Sequence, residues 1–116
     1  MFKDELDNFK NKVVVITIMN NSEIPYLSGT FIALLRYDEH FNRCYLSHPC
    51  DISNDYNVDC GEASFDYNDV TGVIPASDEE FEIWKTKYEE FHNEVMQDKG
   101  YDTCEVNFET IIKQDK

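Results

Sequence analysis

The sequence is short of basic residues and of glycine. Ten Lys and Arg stand against 24 Asp and Glu, so the formal net charge is −14. Such a negative field repels phosphate backbones, which argues against direct nucleic-acid binding and favours a basic protein partner. Only four glycines occur in the 116 residues, which leaves no glycine-rich loop of the kind that cradles phosphate groups.

Signals for membrane insertion and secretion are also missing. No uncharged apolar run approaches the roughly 18 residues of a membrane helix. The first ten residues, MFKDELDNFK, hold no apolar core of signal-peptide length. We therefore expect a cytoplasmic protein that makes no membrane contact, with its four cysteines present as reduced thiols.

Catalytic signatures are equally scarce. His48 and Cys50 are close in sequence, but no nucleophile elbow or paired-acid motif accompanies them. No two cysteines have the spacing with which one turn grips a zinc ion, and the alternation of Cys44 with Leu46 is typical of a core residue. The sequence therefore predicts neither an enzyme nor a zinc protein, and no cofactor.

Residues 51–62 have the spacing of a calcium-binding loop. Its oxygen-bearing residues follow the order of an EF-hand loop, but Tyr56 stands at the position where the sharp turn needs glycine. The matching residues are Asp51, Ser53, Asp55, Val58 and Glu62. We expect a solvated loop here, with a calcium-responsive binder as a weaker alternative.

The remaining pattern predicts one domain over residues 1–116. Phe2, Leu6 and Phe9 form the apolar stripe of an N-terminal helix over residues 1–11. Runs of β-branched or alternating apolar residues predict five short strands within residues 12–75. These strands are the segments 13–19, 30–37, 43–48, 63–67 and 70–74, with an exposed loop over 49–61.

A long acidic helix is predicted over residues 77–99. Ser77 and Glu80 have the spacing of a capping box, and Gly100 is placed to end the helix in a left-handed conformation. Large apolar residues recur every three or four positions and form one stripe that packs on the strands. They are Phe81, Trp84, Tyr88, Phe91 and Val95. The tail, residues 100–116, is expected to pack on the same body.

Residues 2–75 resemble small SH3-like barrels, and one stretch resembles the first motif of Sm and LSm proteins. Gly29 and the segment 38–47, DEHFNRCYLS, carry this likeness. It implies an α+β fold with a small five-stranded SH3-like or Sm-like barrel. It also implies RNA contacts from Asp38 and Asn42, although the arginine of the second motif is absent from residues 69–74, DVTGVI. The other interpretation of Asp38 and Asn42 is that they shape a hairpin turn.

The acidic residues are the strongest functional signal. Residues 38–98 hold sixteen acids against three bases, whereas the rest of the chain holds eight acids and seven bases. A helix that spaces carboxylates about 5 to 6 Å apart can imitate the phosphates of a nucleic acid. The predicted partner-binding residues are Glu79, Glu80, Glu82, Glu89, Glu90 and Glu94 on the helix and Asp51, Asp55 and Asp59 in the loop.

These features predict a non-enzymatic inhibitor, a monomer or homodimer, that occupies the basic channel of a nuclease or another nucleic-acid-binding protein. By type, such a chain resembles the acidic anti-defence proteins of phages, including anti-CRISPR proteins and restriction inhibitors that mimic DNA, which act in the host cytoplasm. An acidic surface kept for solubility is the simpler interpretation of the charge. An Sm-like module that assembles with other subunits is the alternative function.

Overall fold

The computed structural model describes residues 3–21, 27–100 and 108, and it shows an α+β fold. Within these ranges, a short helix precedes an antiparallel sheet of six strands, and a long helix follows it. The strands are β1 (Lys12–Ile18), β2 (Gly29–Asp38), β3 (Arg43–Asp51), β4 (Asn57–Val58), β5 (Glu62–Ala63) and β6 (Val70–Pro75). The helices are α1 (Lys3–Asn8) and α2 (Asp78–Asp98). Neither helix combines the length and apolar character that crossing a membrane requires.

The sheet is open, so the predicted closed barrel of five strands is wrong. Its strand order is β4-β3-β2-β1-β6, and β5 also pairs with β3. Among the described strands, β4 and β6 lie at opposite ends and do not pair with each other. Closure needs every strand to continue the stagger around the barrel, but β4 and β5 are only two residues long. Asp59 and Gly61, which lie between them, are poor strand formers.

The predicted exposed loop over 49–61 is wrong in its first part, because β3 runs on to Asp51. A bulge makes this possible: Ala33 of β2 faces two residues of β3, His48 and Pro49. His48 adopts a left-handed conformation with a φ of 50°. Proline has no N–H to donate to the ladder, and a bulge is one of the few places where a strand tolerates it.

The predicted strand over 63–67 is shorter than its alternating pattern indicates. Only Glu62–Ala63 pair as a strand, although Phe65 is fully buried as the pattern requires. The Asp66 side chain accepts a hydrogen bond from the Asn68 backbone N–H at 2.8 Å and starts a 3₁₀ turn at Tyr67. This local capping competes with strand pairing and ends the strand early.

Strand alternation gives the sheet two apolar faces. The first face carries the larger cluster and is covered in part by Leu6 of α1, which is fully buried. The second face is covered by α2. The buried residues of the first cluster are Leu6, Val14, Ile16, Ile18, Leu27, Phe31, Ala33, Leu35, Cys44, Leu46, Ala63, Phe65, Val70 and Val73. Those of the second cluster are Val13, Ile32, Leu34, Cys50 and Trp84.

Helix α2 begins and ends as predicted. The Ser77 hydroxyl accepts from the Glu80 N–H at 3.2 Å, and the Glu80 carboxylate accepts from the Ser77 N–H at 2.8 Å, so the capping box is complete. Gly100 follows the helix with a φ of 79°. Trp84 is the fully buried anchor, and Phe81 and Tyr88 pack around it.

Some predicted features lie outside the described residues. These include the side chain of Phe2, Cys104 and most of the tail over 100–116. Phe108 is described, and its ring lies 5.9 Å from that of Trp84 between centroids. Among the described cysteines, Cys44, Cys50 and Cys60 are free thiols, and Cys44 is a core residue as predicted.

Candidate partner-binding surface

The acidic face of α2 is the outward surface that carries Glu79, Glu82, Glu89, Glu90 and Glu94. All of these except Glu89 are exposed, and Glu89 is half-buried. The helix presents this face because its opposite side is held on the sheet by Trp84. The structure therefore places these acids on one continuous helix, as the sequence predicts.

A furrow runs between α2 and the segment 56–58. Its wider part has a volume of about 360 Å³, and a narrower part of about 90 Å³ continues it past Lys87 and Glu90. The furrow is lined by Tyr56, Asn57, Val58, Glu79, Glu82, Ile83, Thr86, Lys87, Glu90, Phe91 and Glu94. It thus brings four of the predicted helix acids alongside the segment 56–58, which Asp55 and Asp59 flank without lining the furrow.

Several predicted site residues already have structural partners. The Glu80 carboxylate is committed to the capping box, and Asp51 accepts from both the backbone N–H and the hydroxyl of Ser53, at 3.0 and 2.7 Å. Asp59 accepts from the Asn57 side chain at 2.5 Å. Glu80 and Asp51 therefore shape local backbone before they serve any partner.

The two lysines of α2 neutralise only part of its charge. Lys85 lies 3.0 Å from Glu82, and Lys87 lies 3.7 Å from Glu90. Within the described part of the chain, Glu79, Glu89, Glu94 and Asp55 have no hydrogen bond or ion pair from a side chain. Ionised carboxylates only accept hydrogen bonds, so each of these residues offers acceptor oxygens to an incoming cation.

The sequence does not predict the cluster that His48 forms with Tyr88 and Phe91 under α2. The His48 ring lies 4.0 Å from the Tyr88 ring and 5.2 Å from the Phe91 ring between centroids. Its Nδ1 is 2.8 Å from the Ser47 hydroxyl oxygen. Pro49 is the one sequence signal for this site, because a proline inside a strand pattern marks a bulge.

Within this cluster, Cys50 and His48 do not form a catalytic pair of nucleophile and general base. The Cys50 thiol donates to the backbone oxygen of His48 at 3.6 Å, and does not contact the imidazole. Burial raises the pKa of the Cys50 thiol to about 12, so it stays protonated at neutral pH. The geometry makes His48 a packing residue that closes the space between β3 and α2.

Acid should weaken this packing. Burial, with smaller effects from His92 and Arg36, lowers the pKa of His48 to about 4, below its ordinary value of 6.5. As the pH falls, the unfolded chain takes up the proton first. Stability from neutral His48 is therefore complete above about pH 6.5 and is lost as the pH falls toward 4.

We expect the wild-type free energy of unfolding to fall by about 2 kcal/mol more than that of a His48→Asn variant between about pH 7.5 and 5. Asparagine tolerates the left-handed backbone at this position, so the variant removes the titrating group without forcing a new conformation. Urea denaturation at each pH measures both values, and the comparison cancels the titration of the carboxylates. Parallel pH profiles would contradict the role given to His48.

The described residues of the calcium and zinc hypotheses, a set that leaves out Cys104, do not gather around a common point. Among the described residues, no three His, Cys, Asp or Glu side chains lie where they can hold one metal ion. Asp51 is turned to Ser53, whereas Glu62 lies in β5 opposite Ser47. The loop after β3 is instead held by hydrogen bonds between its own side chains and backbone, such as the one from the Ser53 N–H to the Asp51 carboxylate.

Asp38 and Asn42, the pair implied by the Sm likeness, lie in the turn between β2 and β3. One Asp38 carboxylate oxygen accepts from the backbone N–H groups of His40 and Phe41, at 2.9 and 3.3 Å. Asn42 is left-handed, with a φ of 53°, and its side-chain oxygen accepts from the Tyr37 hydroxyl. Both residues therefore shape the hairpin turn.

Comparison with known proteins gives no family for this chain. It matches no protein-family model, no curated protein and no solved structure. The function proposed below therefore depends on the residues and contacts of this chain alone.

Proposed function

We propose that the protein is a non-enzymatic inhibitor that binds the basic nucleic-acid channel of a nuclease or another nucleic-acid-binding protein. The observation that carries this proposal is the acidic face of α2, where four carboxylates line one furrow and Glu79 and Glu94 have no compensating cation among the described residues. Its action is competition: the carboxylates occupy the sites that phosphates would take.

The spacing of the charges supports this mechanism. Successive turns of a helix stack carboxylates about 5 to 6 Å apart, and each DNA strand carries a phosphate every 3.4 Å or so along the axis. A channel of Lys and Arg shaped for phosphates can therefore pair with several of these carboxylates at once. The net charge of −14 also steers a basic protein toward this surface and speeds their association.

The rigidity of α2 supports it as well. The capping box fixes its first turn, and Trp84 fixes its middle by donating its indole N–H to the backbone oxygens of Ser47 and His48, at 3.2 and 3.1 Å. A helix backbone that is ordered before binding loses little further backbone entropy when its acids meet a partner. A surface that served solubility alone would need no such order and would intersperse both signs of charge.

The test is capture and competition. The chain is immobilised, exposed to a bacterial lysate at about 50 mM salt, and eluted with short duplex DNA, while a parallel sample is washed at about 500 mM salt. We expect a nucleic-acid enzyme to be retained, released by the DNA, and lost at high salt. An anti-defence role, such as anti-CRISPR or anti-restriction, follows if that enzyme is a defence nuclease.

A partner that resists both DNA and salt would contradict the inhibitor and leave the acidic face as a solubility device. Recovery of further copies of this chain alone would instead favour an Sm-like assembly module. One observation supports that alternative: β6 is an edge strand whose outer side pairs with no other described strand, and Ile74 on it is 60% exposed. The mass of the recovered complex would then correspond to a closed ring.

A further inference from the structure

Helix α2 covers only part of the second face of the sheet, and an open cleft of about 550 Å³ lies on the part that it leaves bare. The cleft lies where the ends of β2 and β5 meet the start of β3. It is lined by Asp38, Phe41, Arg43, Tyr45, Glu62, Ala63 and Ser64.

Strand register places this cleft on the same side of the sheet as α2. Leu34 packs under α2, and Asp38 lies four residues further along β2, on the same face. Asp38 pairs directly with Arg43, while Ser47, which pairs with Leu34, also pairs with Glu62. A protein bound to the acidic face of α2 therefore approaches the side on which the cleft opens.

An exposed aromatic ring stands at the rim of the cleft. Phe41 is 70% exposed, the largest value among the exposed large apolar side chains in the described ranges. Its backbone N–H donates to the Asp38 carboxylate at 3.3 Å, and its ring meets the His40 ring edge to face at 4.8 Å. Phe41 also lines an adjoining cleft of about 420 Å³ with Tyr67. An aromatic ring exposed at the rim of a cleft is available as a binding anchor.

The polar groups of the cleft favour a cation. Asp38 and Glu62 contribute two carboxylates, and Arg43 contributes one guanidinium, which donates to the backbone oxygen of Phe65. The faces of Phe41 and Tyr45 also attract positive charge through their ring quadrupoles. A planar guanidinium can stack on such a ring and pair with a carboxylate at the same time, which an ammonium group does less well.

We propose that this cleft takes up an arginine side chain of the basic protein partner. The assignment of that arginine to a partner rests on the proposed function, whereas the preference for guanidinium depends on the cleft alone. Phe41 stacks on the arginine, and Glu62 and Asp38 pair with it. The acidic face of α2 supplies long-range attraction, and the cleft supplies the local anchor that fixes orientation.

The cleft is tested without the partner. N-acetyl-arginine amide is titrated into the isotope-labelled protein and followed by NMR, with N-acetyl-citrulline amide as the neutral probe of the same shape. We expect shifts that centre on Phe41, Tyr45 and Glu62 with the arginine probe and none with citrulline. Phe41→Ala and Glu62→Gln should each weaken binding by about threefold or more, as expected for losing a cation–π or charged contact.

Glu94→Gln is the matched control, because it removes one carboxylate from the distant furrow and should leave the probe affinity within a factor of about 1.5. Shifts centred on the α2 furrow, or equal binding of citrulline, would overturn the cleft proposal. Capture of a nuclease with no arginine binding in the cleft would also overturn it and leave the proposed function standing. Arginine binding in the cleft without any DNA-displaceable partner would overturn the proposed function, while the guanidinium preference would remain supported.

Discussion

Replacement of Trp84 with alanine is expected to lower the free energy of unfolding by about 3–5 kcal/mol, which is a large share of the stability of a domain this size. Trp84 is the only tryptophan and is fully buried between α2 and the sheet. Its ring packs against Tyr88 at 5.3 Å, and its N–H bridges two carbonyl oxygens of the bulged strand. Its removal leaves a cavity and two carbonyl groups without this donor.

Urea denaturation followed by circular dichroism measures this loss, because the variant has no tryptophan fluorescence. Trp84→Phe separates the two contributions, since it keeps most of the ring and removes the N–H, and we expect it to cost about 1–3 kcal/mol. Thr86→Ala on the exposed side of α2 is the control and should change stability by less than about 0.5 kcal/mol. Equal stability of Trp84→Ala and Thr86→Ala would mean that α2 is not held by this residue.

Reversal of two charges in the α2 furrow is expected to weaken binding of the proposed partner by about 30-fold or more, close to 2 kcal/mol at low salt. The variant is Glu79→Lys with Glu94→Lys. Both residues are exposed, and neither has an ion pair among the described residues, so the exchange breaks no contact of the folded chain. The new lysines would face the basic groups that the carboxylates attract. Titration calorimetry with the captured enzyme at about 50 mM salt measures the change.

The matched control is Asp4→Lys with Glu5→Lys. These two acids are also exposed and lie in the first turn of α1, whose Leu6 packs in the cluster on the opposite face of the sheet. Both double variants raise the net charge by the same amount. If the two pairs weakened binding equally, overall charge would be responsible and the furrow would have no special role. A loss confined to the α2 pair is the outcome that the inhibitor requires.

The elements of this protein with strong local patterns were predictable from the sequence. Ser77, Glu80 and Gly100 define the ends of α2 through backbone bonds to near neighbours, and the spacing of Trp84 and Tyr88 places its buried side. The β-branched run of β1 likewise needs no distant information to form a strand. These features depend on residues within a few positions of each other, so the linear pattern contains what is needed.

The candidate site was predictable only in part. The acids of α2 were visible as a charge pattern. Tyr56, on the other wall of the furrow, lies near them only because β3 continues past a bulge and the chain then turns back to pair as β4. The cleft at Phe41 and Glu62 joins residues that are distant in the chain and adjacent only through the pairing of β5 with β3. No spacing pattern in the sequence predicts either the α2 furrow or the cleft at Phe41.

By itself, the sequence determined the charge of this protein, the amphipathic character of α2 and the presence of a buried core, because composition and short-range periodicity decide those properties. Tertiary structure alone decided that the sheet stays open, that His48 turns left-handed beneath α2, and that an aromatic cleft opens on the part of the sheet that α2 leaves bare. Those outcomes depend on which strands pair and how far, and pairing is a competition between distant segments that no local pattern records.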